Sequence, residues 1–345
     1  MKSIYSVSRE SLEQYFISKK MPKFRATQVF EGLYKQNVNN LFDIKGLKKE
    51  VMVMLNEDFF FNKLDIIDKN EAEDGTIKYL YRLADGSLIE TVLMVHNYGY
   101  SVCVSTQVGC NMGCAFCASG EVKKIRDLTP DEMLLQVKII NDDLKKQDLR
   151  VTNVVIMGIG EPFDNYEHVM EFIKIINDDR ALEIGARHIT VSTCGISSKI
   201  YDFASFPYQV NLAISLHFAT NIKRSKYMRI NNTYSLESIA DALKFYYQKT
   251  NRRITFEYIM LNGINDSLED AEELAKFASK FNCYINLIPY NETDNGLKRS
   301  SNEQVRKFFD YLKKKNLNVT RRREQGSDIA AACGQLRVNK LKEEL

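Results

Sequence analysis

The chain has 345 residues, 44% of them hydrophobic and 27% charged, with a net charge of +3 and seven cysteines. That length suits one large α/β domain and a small accessory one, and the apolar content is enough for a sizeable core. No apolar run reaches the roughly 18–20 residues of a membrane span and Met1 to Arg9 has no apolar signal core, so no membrane partner is expected and the expected location is the cytoplasm, where such a cysteine set points to metal binding or catalysis rather than disulfides.

The charge is unevenly spread. From Lys298 to Leu345 there are 13 Lys/Arg against 6 Asp/Glu, and residues 1–60 hold 10 against 7. The middle is therefore net acidic. Basic ends suggest a polyanion, with nucleic acid as the first candidate, although solvated Lys-rich helix faces explain the same counts.

In chain order, residues 1–60 read as helical. Ser8 offers an N-cap, and Phe24 to Tyr34 repeats apolar residues at helical spacing. Residues 77–81 and 88–93 flank Asp85-Gly86-Ser87, a β-hairpin signal, and carry Glu90. From Ser101 onward strands at 101–107, 152–157, 188–193, 210–216, 253–260 and 283–288 alternate with helices near 129–147, 165–178, 197–205, 235–249 and 267–280. A last helix, 301–315, leads to a strand at 317–321. Six β–α units predict an α/β fold, a partial (β/α)6 barrel, with functional groups at the C-terminal ends of its strands. The expected division is a helical accessory domain over 1–60, a hairpin connection over 61–95, the barrel over 96–325 and a C-terminal segment over 326–345.

Directly after the first barrel strand, Cys110, Cys114 and Cys117 have the spacing C-x3-C-x2-C. Three thiolates on one tight loop suit three irons of a 4Fe–4S cube, and no fourth cysteine is close by. The open iron then has room to chelate the amino and carboxylate groups of S-adenosylmethionine. A structural zinc site is the alternative, but zinc sites normally close with four ligands in paired spacings.

Further groups fall at strand ends. Gly158-Ile159-Gly160-Glu161-Pro162 follows the second strand: its glycines permit close backbone approach, and Glu161 offers a carboxylate to an ammonium group. Ser192, then Ser215-Leu216-His217, offer hydroxyl, backbone and imidazole contacts, and Asn291 offers an amide for an adenine edge. Cys333, among small residues near the C-terminus, and Cys103, in the first barrel strand, each have an ordinary reading as a small hydrophobe, as Glu90 has as a surface carboxylate.

Taken together, the segments IETVLM, SVCVSTQVGCNMGCAFCASG, VVIMGIGEPFDN, GARHITVST, NLAISLH, NLIPYN and RREQGSDIAAACGQL resemble the RlmN/Cfr family of radical S-adenosylmethionine RNA methyltransferases over nearly the whole chain. The resemblance implies a radical-SAM barrel, one 4Fe–4S cluster on Cys110, Cys114 and Cys117, and two S-adenosylmethionine molecules per turnover. It implies that Gly160, Glu161, Ser192, Ser215, Leu216, His217 and Asn291 hold the cofactor. Cys333 is then the methyl-carrying cysteine, Cys103 the resolving cysteine and Glu90 the proton acceptor. The implied partners are 23S rRNA, tRNA and an electron donor such as flavodoxin or ferredoxin. Val108 and Pro162 resemble the members that methylate carbon 2 of adenosine rather than the Cfr type, which acts on carbon 8 and gives antibiotic resistance. The chain departs from the pattern at Cys194, Arg229, Glu292 and Ala330; Ala330 bears on how the Cys333 loop is held. A reading of another class is a non-catalytic zinc or RNA-binding protein.

Overall fold

The structure is a computed structural model and describes residues 1–293, 295–322, 325, 326 and 329. Helices α1 (Arg9–Ser18), α2 (Phe24–Phe30) and α3 (Lys49–Asp58) form the N-terminal bundle. The Ser8 hydroxyl accepts from the Ser11 N–H at 3.3 Å, satisfying an otherwise orphaned donor of the first turn of α1. Leu12, Phe16, Val29, Phe30, Tyr34 and Leu55 are buried and continue into the main core. The Glu171 carboxylate accepts from the Ser8 N–H at 2.9 Å, and Arg9 pairs with Asp178 at 2.7 Å. These contacts seat the bundle on the barrel's helical layer.

Among the described residues, ten strands form one sheet whose spatial order follows the chain. They are β1 (Asp65–Glu71), β2 (Ile77–Arg82), β3 (Leu88–His96), β4 (Gly99–Cys103), β5 (Val151–Ile156), β6 (Ile189–Thr193), β7 (Asn211–Ser215), β8 (Ile254–Met260), β9 (Cys283–Pro289) and β10 (Asn318–Arg321). Strands β1 to β4 pair antiparallel, and β4 to β10 pair parallel. The crossovers are α4 (Pro130–Lys145), α5 (Tyr166–Asn177), α6 (Ser197–Phe203), α7 (Asn221–Tyr227) with α8 (Leu236–Thr250), α9 (Leu268–Ala278) and α10 (Asn302–Lys314). The six expected β–α units are present, and among the described residues β1 and β10 do not pair, which leaves a partial barrel. The hairpin of β2 and β3 is continuous with the barrel sheet, because β3 pairs with β4. Strand β1 and helices α3 and α7 were not expected individually.

Strand alternation sorts the side chains onto two faces. Tyr79, Tyr81, Ile89, Leu93, Val102, Val154, Ile156, Val191, Ile214, Phe256 and Ile285 face the helices and form the main core. The other face is the barrel interior. There Val92, Met94 and Cys103 form a small separate cluster with Val155 and Met157. Beyond it the interior turns polar, with Ser192 on β6, Ser215 on β7 opposite Glu257 on β8, and Glu257 opposite Asn286 on β9. An apolar shell around a polar interior gives a soluble ligand somewhere to bind.

A buried node fixes the hairpin to the barrel. Thr129 and Glu132 form a capping box at the start of α4, with Pro130 at its first position. One turn on, the Gln136 amide oxygen accepts from the Ser105 N–H and the Thr91 hydroxyl, both at 2.8 Å. The Ser105 hydroxyl donates to the Glu90 carbonyl at 2.6 Å and accepts from the Ile159 N–H at 3.0 Å. Three strand ends are thereby held together around one serine.

Candidate active site

The loop after β4 is closed by a short antiparallel pairing of Gln107–Val108 with Arg126–Asp127. Within it the Cys110 N–H donates to the Val122 carbonyl at 3.0 Å, and the Ala115 N–H to that of Tyr227 at 2.9 Å. Gly109 has φ +81°, and a Cβ there would lie 2.2 Å from the Lys123 carbonyl oxygen, so the loop's closure requires glycine. Cys110, Cys114 and Cys117 are half-buried and form no disulfide among the described residues. Burial pushes the Cys110 thiol up to about 12, and the neighbouring Cys117 adds to it. Cys114 is raised in the same way, with both other cysteines contributing. Thiols this reluctant to ionise become ligands when a metal supplies the charge. The set is soft and sulfur-only, which fits an iron–sulfur cluster. Among the described residues, no three His, Cys, Asp or Glu side chains converge on one point as a single ion demands. A cube, with one thiolate on each of three corner irons, takes a wider set.

The cluster loop rests on the strand ends expected to hold the cofactor. The Phe116 ring meets the His217 ring edge-on, with centroids 4.9 Å apart. His217 has a left-handed backbone, φ +56°, and its Nδ1 accepts from the Ile259 N–H at 3.2 Å. Burial, with Arg224 nearby, lowers its pKa to about 3, so the ring is neutral. The Ser192 and Ser215 hydroxyls lie 3.2 Å apart on adjacent strands. Gly160, φ +108°, packs so closely on Gln107 that a Cβ would lie 2.6 Å from it. The structure thus brings Gly160, Ser192, Ser215 and His217 to one end of the sheet.

Two residues differ from expectation in detail. The Glu161 carboxylate accepts from the Phe163 N–H at 3.0 Å and the Cys194 N–H at 2.7 Å, bracing the ends of β5 and β6. Burial raises its pKa, and those N–H groups oppose the rise. Leu216 turns its side chain into the main core, and its carbonyl accepts from Arg224, so a ligand meets backbone there. Asn291 is exposed just past β9; four residues on, Asn295 donates to the Ala115 carbonyl of the cluster loop at 2.9 Å.

Cys103 and Glu90 share the interior face. Cys103 stands opposite Val92, and Glu90 lies two residues along β3 from Val92. Glu90 is buried rather than a surface carboxylate and pairs with Lys78 at 3.0 Å. Cys333 and Ala330 lie outside the described residues. Arg229 packs beside Gly113, its Cδ 3.5 Å from where a Cβ would stand.

Sequence reasoning missed four residues. Arg224 is fully buried and donates to the Cys194 and Leu216 carbonyls and to Asn231. Glu257 is buried, accepts from the Asn286 amide at 2.9 Å, and is raised in pKa by that burial. Gln107 accepts from the Glu161 N–H and donates to Asp127 and Asp164. Lys78 faces Glu90. A charge inside an apolar strand, as in ITFEYIM and IKYLYR, was the available signal for Glu257 and Lys78. The open grooves near Arg9 and Tyr208 contain none of these groups.

Residues 104–278 match the model of the radical SAM superfamily, and residues 3–60 match the ribosomal RNA large subunit methyltransferase N-terminal domain. The probable dual-specificity RNA methyltransferase RlmN of Streptococcus mutans is 51% identical over 99% of this chain and 96% of that protein. Its counterpart in Streptococcus pyogenes serotype M2 is 50% identical over 99% and 97%. The crystal structure of a radical SAM methyltransferase from Sphaerobacter thermophilus superposes with a TM-score of 0.90 at 38% identity, covering 97% of this chain and 99% of that one.

Proposed function

Because the chain belongs to the RlmN family of radical S-adenosylmethionine RNA methyltransferases, we propose that it methylates carbon 2 of adenosine in 23S rRNA and in the tRNA anticodon loop. The observation that carries this reading is the shared interior face of Glu90 and Cys103, at the end of the sheet where the cysteine loop and the polar strand ends meet. When bound, the cluster and S-adenosylmethionine supply a 5′-deoxyadenosyl radical. An adenine carbon that bears hydrogen is not nucleophilic, so direct methyl displacement fails and a covalent carrier is needed.

Cys333 carries the methyl group, taken from one S-adenosylmethionine by displacement; a second is consumed in activating it. Once the methyl carbon is joined to the ring, Glu90 takes the ring proton. Cys103 attacks the Cys333 sulfur: an S–S bond forms as the S–C bond breaks, the departing carbon keeps the bonding pair and takes a proton to become the product methyl group, and two electrons from a reductant restore the thiols. Electrons come from a donor such as flavodoxin or ferredoxin. The base leaves its stack to enter the barrel mouth, with basic residues at the chain's ends on phosphates. No helix among the described residues is long and apolar enough to cross a membrane.

The test is to incubate reconstituted enzyme with an unmethylated 23S rRNA fragment and, separately, with tRNA. The digested nucleosides are compared with 2-methyladenosine and 8-methyladenosine standards. Predominant 2-methyladenosine is expected from both. Predominant 8-methyladenosine would overturn the assignment in favour of the Cfr type.

A further inference from the structure

Lys78 and Glu90 form an ion pair in the barrel interior, Nζ to Oε2 3.0 Å, with side chains only 1% and 4% exposed. Burying two charges costs desolvation that their attraction barely repays, and apolar replacements of such pairs are often neutral or stabilising. Stability alone therefore does not explain a lysine at this place, although a lone carboxylate there would be strongly unfavourable. Its position is informative. Lys78 stands opposite Val92, Val92 opposite Cys103, and Cys103 opposite Val155, one row across four strands. Glu90 occupies the next row, opposite Leu80, nearer the C-terminal ends of the parallel strands. Its backbone carbonyl is pinned by the Ser105 hydroxyl. The ammonium of Lys78 thus reaches the carboxylate from the Cys103 row, while the backbone behind Glu90 is fixed at the strand ends.

We infer that Lys78 is a positioning residue for the proton-accepting step: its ammonium holds the Glu90 carboxylate at the level of the barrel mouth, where the adduct's ring proton is removed. This rests on the proposed reading of Glu90 as the base. In this scheme Lys78 acts through Glu90, the partner its ammonium meets at 3.0 Å. A displacement of a catalytic group by about 1 Å costs on the order of a hundredfold in rate.

The experiment uses the full-length reconstituted enzyme with a transcribed 23S rRNA fragment and compares Lys78→Met, Glu90→Gln and wild type. Three signals are followed: 5′-deoxyadenosine formed, methylated nucleoside released, and RNA retained by protein on a denaturing gel. Lys78→Met is expected to form the first equivalent of 5′-deoxyadenosine per enzyme at the wild-type rate, to release methylated product about a hundredfold more slowly, and to accumulate covalent protein–RNA adduct as Glu90→Gln does. A merely structural role would depress all three signals together. If Lys78→Met does not fold, Lys78→Gln, which keeps an N–H donor on a neutral stem, is measured in its place with the same expectation. Adduct in Glu90→Gln with normal product release in the lysine variant would overturn the inference and leave the base intact. Normal release in Glu90→Gln would overturn the base assignment, and this inference with it.

Discussion

His217→Asn isolates the cost of keeping a buried imidazole neutral. Asparagine tolerates the left-handed backbone at φ +56°, and its side-chain oxygen can accept the Ile259 N–H in place of Nδ1. It does not titrate. The wild-type ring has its pKa lowered from 6.5 to about 3 by burial, with Arg224 contributing. A base whose folded pKa is depressed binds its proton in the unfolded chain first. The stability it allows is therefore full above 6.5 and is lost as pH falls from 6.5 towards 3. Between pH 7.5 and pH 5.0 that loss is about 2 kcal/mol, at about 1.4 kcal/mol per pH step below 6.5. Urea unfolding followed by far-UV circular dichroism at the two pH values gives the difference directly. The wild type should lose about 2 kcal/mol more than His217→Asn over that interval. At pH 7.5 the variant should itself be weaker by about 1 kcal/mol from the lost contact with Phe116. Equal losses in the two proteins would refute the buried neutral ring.

Replacing any one of Cys110, Cys114 or Cys117 with Ala should abolish the brown colour and the cleavage of S-adenosylmethionine; full iron content in a single variant would contradict the loop's assignment. In Cys103→Ala the methylene-linked adduct should form but not resolve, so protein should be found covalently bound to RNA, whereas normal turnover would make Cys103 a packing residue. Gly160→Ala should cost about 1–3 kcal/mol in strain alone, because φ is +108° and the new Cβ would meet Gln107 at 2.6 Å. S-adenosylmethionine binding, read by equilibrium dialysis, should weaken with it, and wild-type stability and affinity would refute the close approach.

The parts of the fold that were legible in the sequence are those whose cause is local. The cluster loop is a spacing, the crossovers are alternating periods, and Ser192 and Ser215 are hydroxyls at strand ends. Strand β1 escaped because an edge strand need not show an apolar face: Asp65, Ile66, Lys69 and Glu71 are all exposed. Arg224 escaped because its partners are remote, with Cys194 thirty residues away, and a basic run on a short helix reads as solvated surface. Lys78 and Glu90 were the hardest kind. Each is an ordinary hairpin residue by itself, and only the register of β2 on β3, with the interior face closed over them, makes a buried pair.

Among the described residues the sheet has two unjoined margins, and an unjoined strand is a template on which another chain can polymerise. Here both margins discourage that. At one, β1 carries Asp65, Asp68, Lys69 and Glu71 and is broken by a register shift between Ile66 and Asp68, which a flat incoming strand does not match. At the other, β10 is only four residues long and ends in Arg321, followed directly by Arg322. Charged, short or kinked margins of this kind disfavour edge-to-edge pairing with another chain.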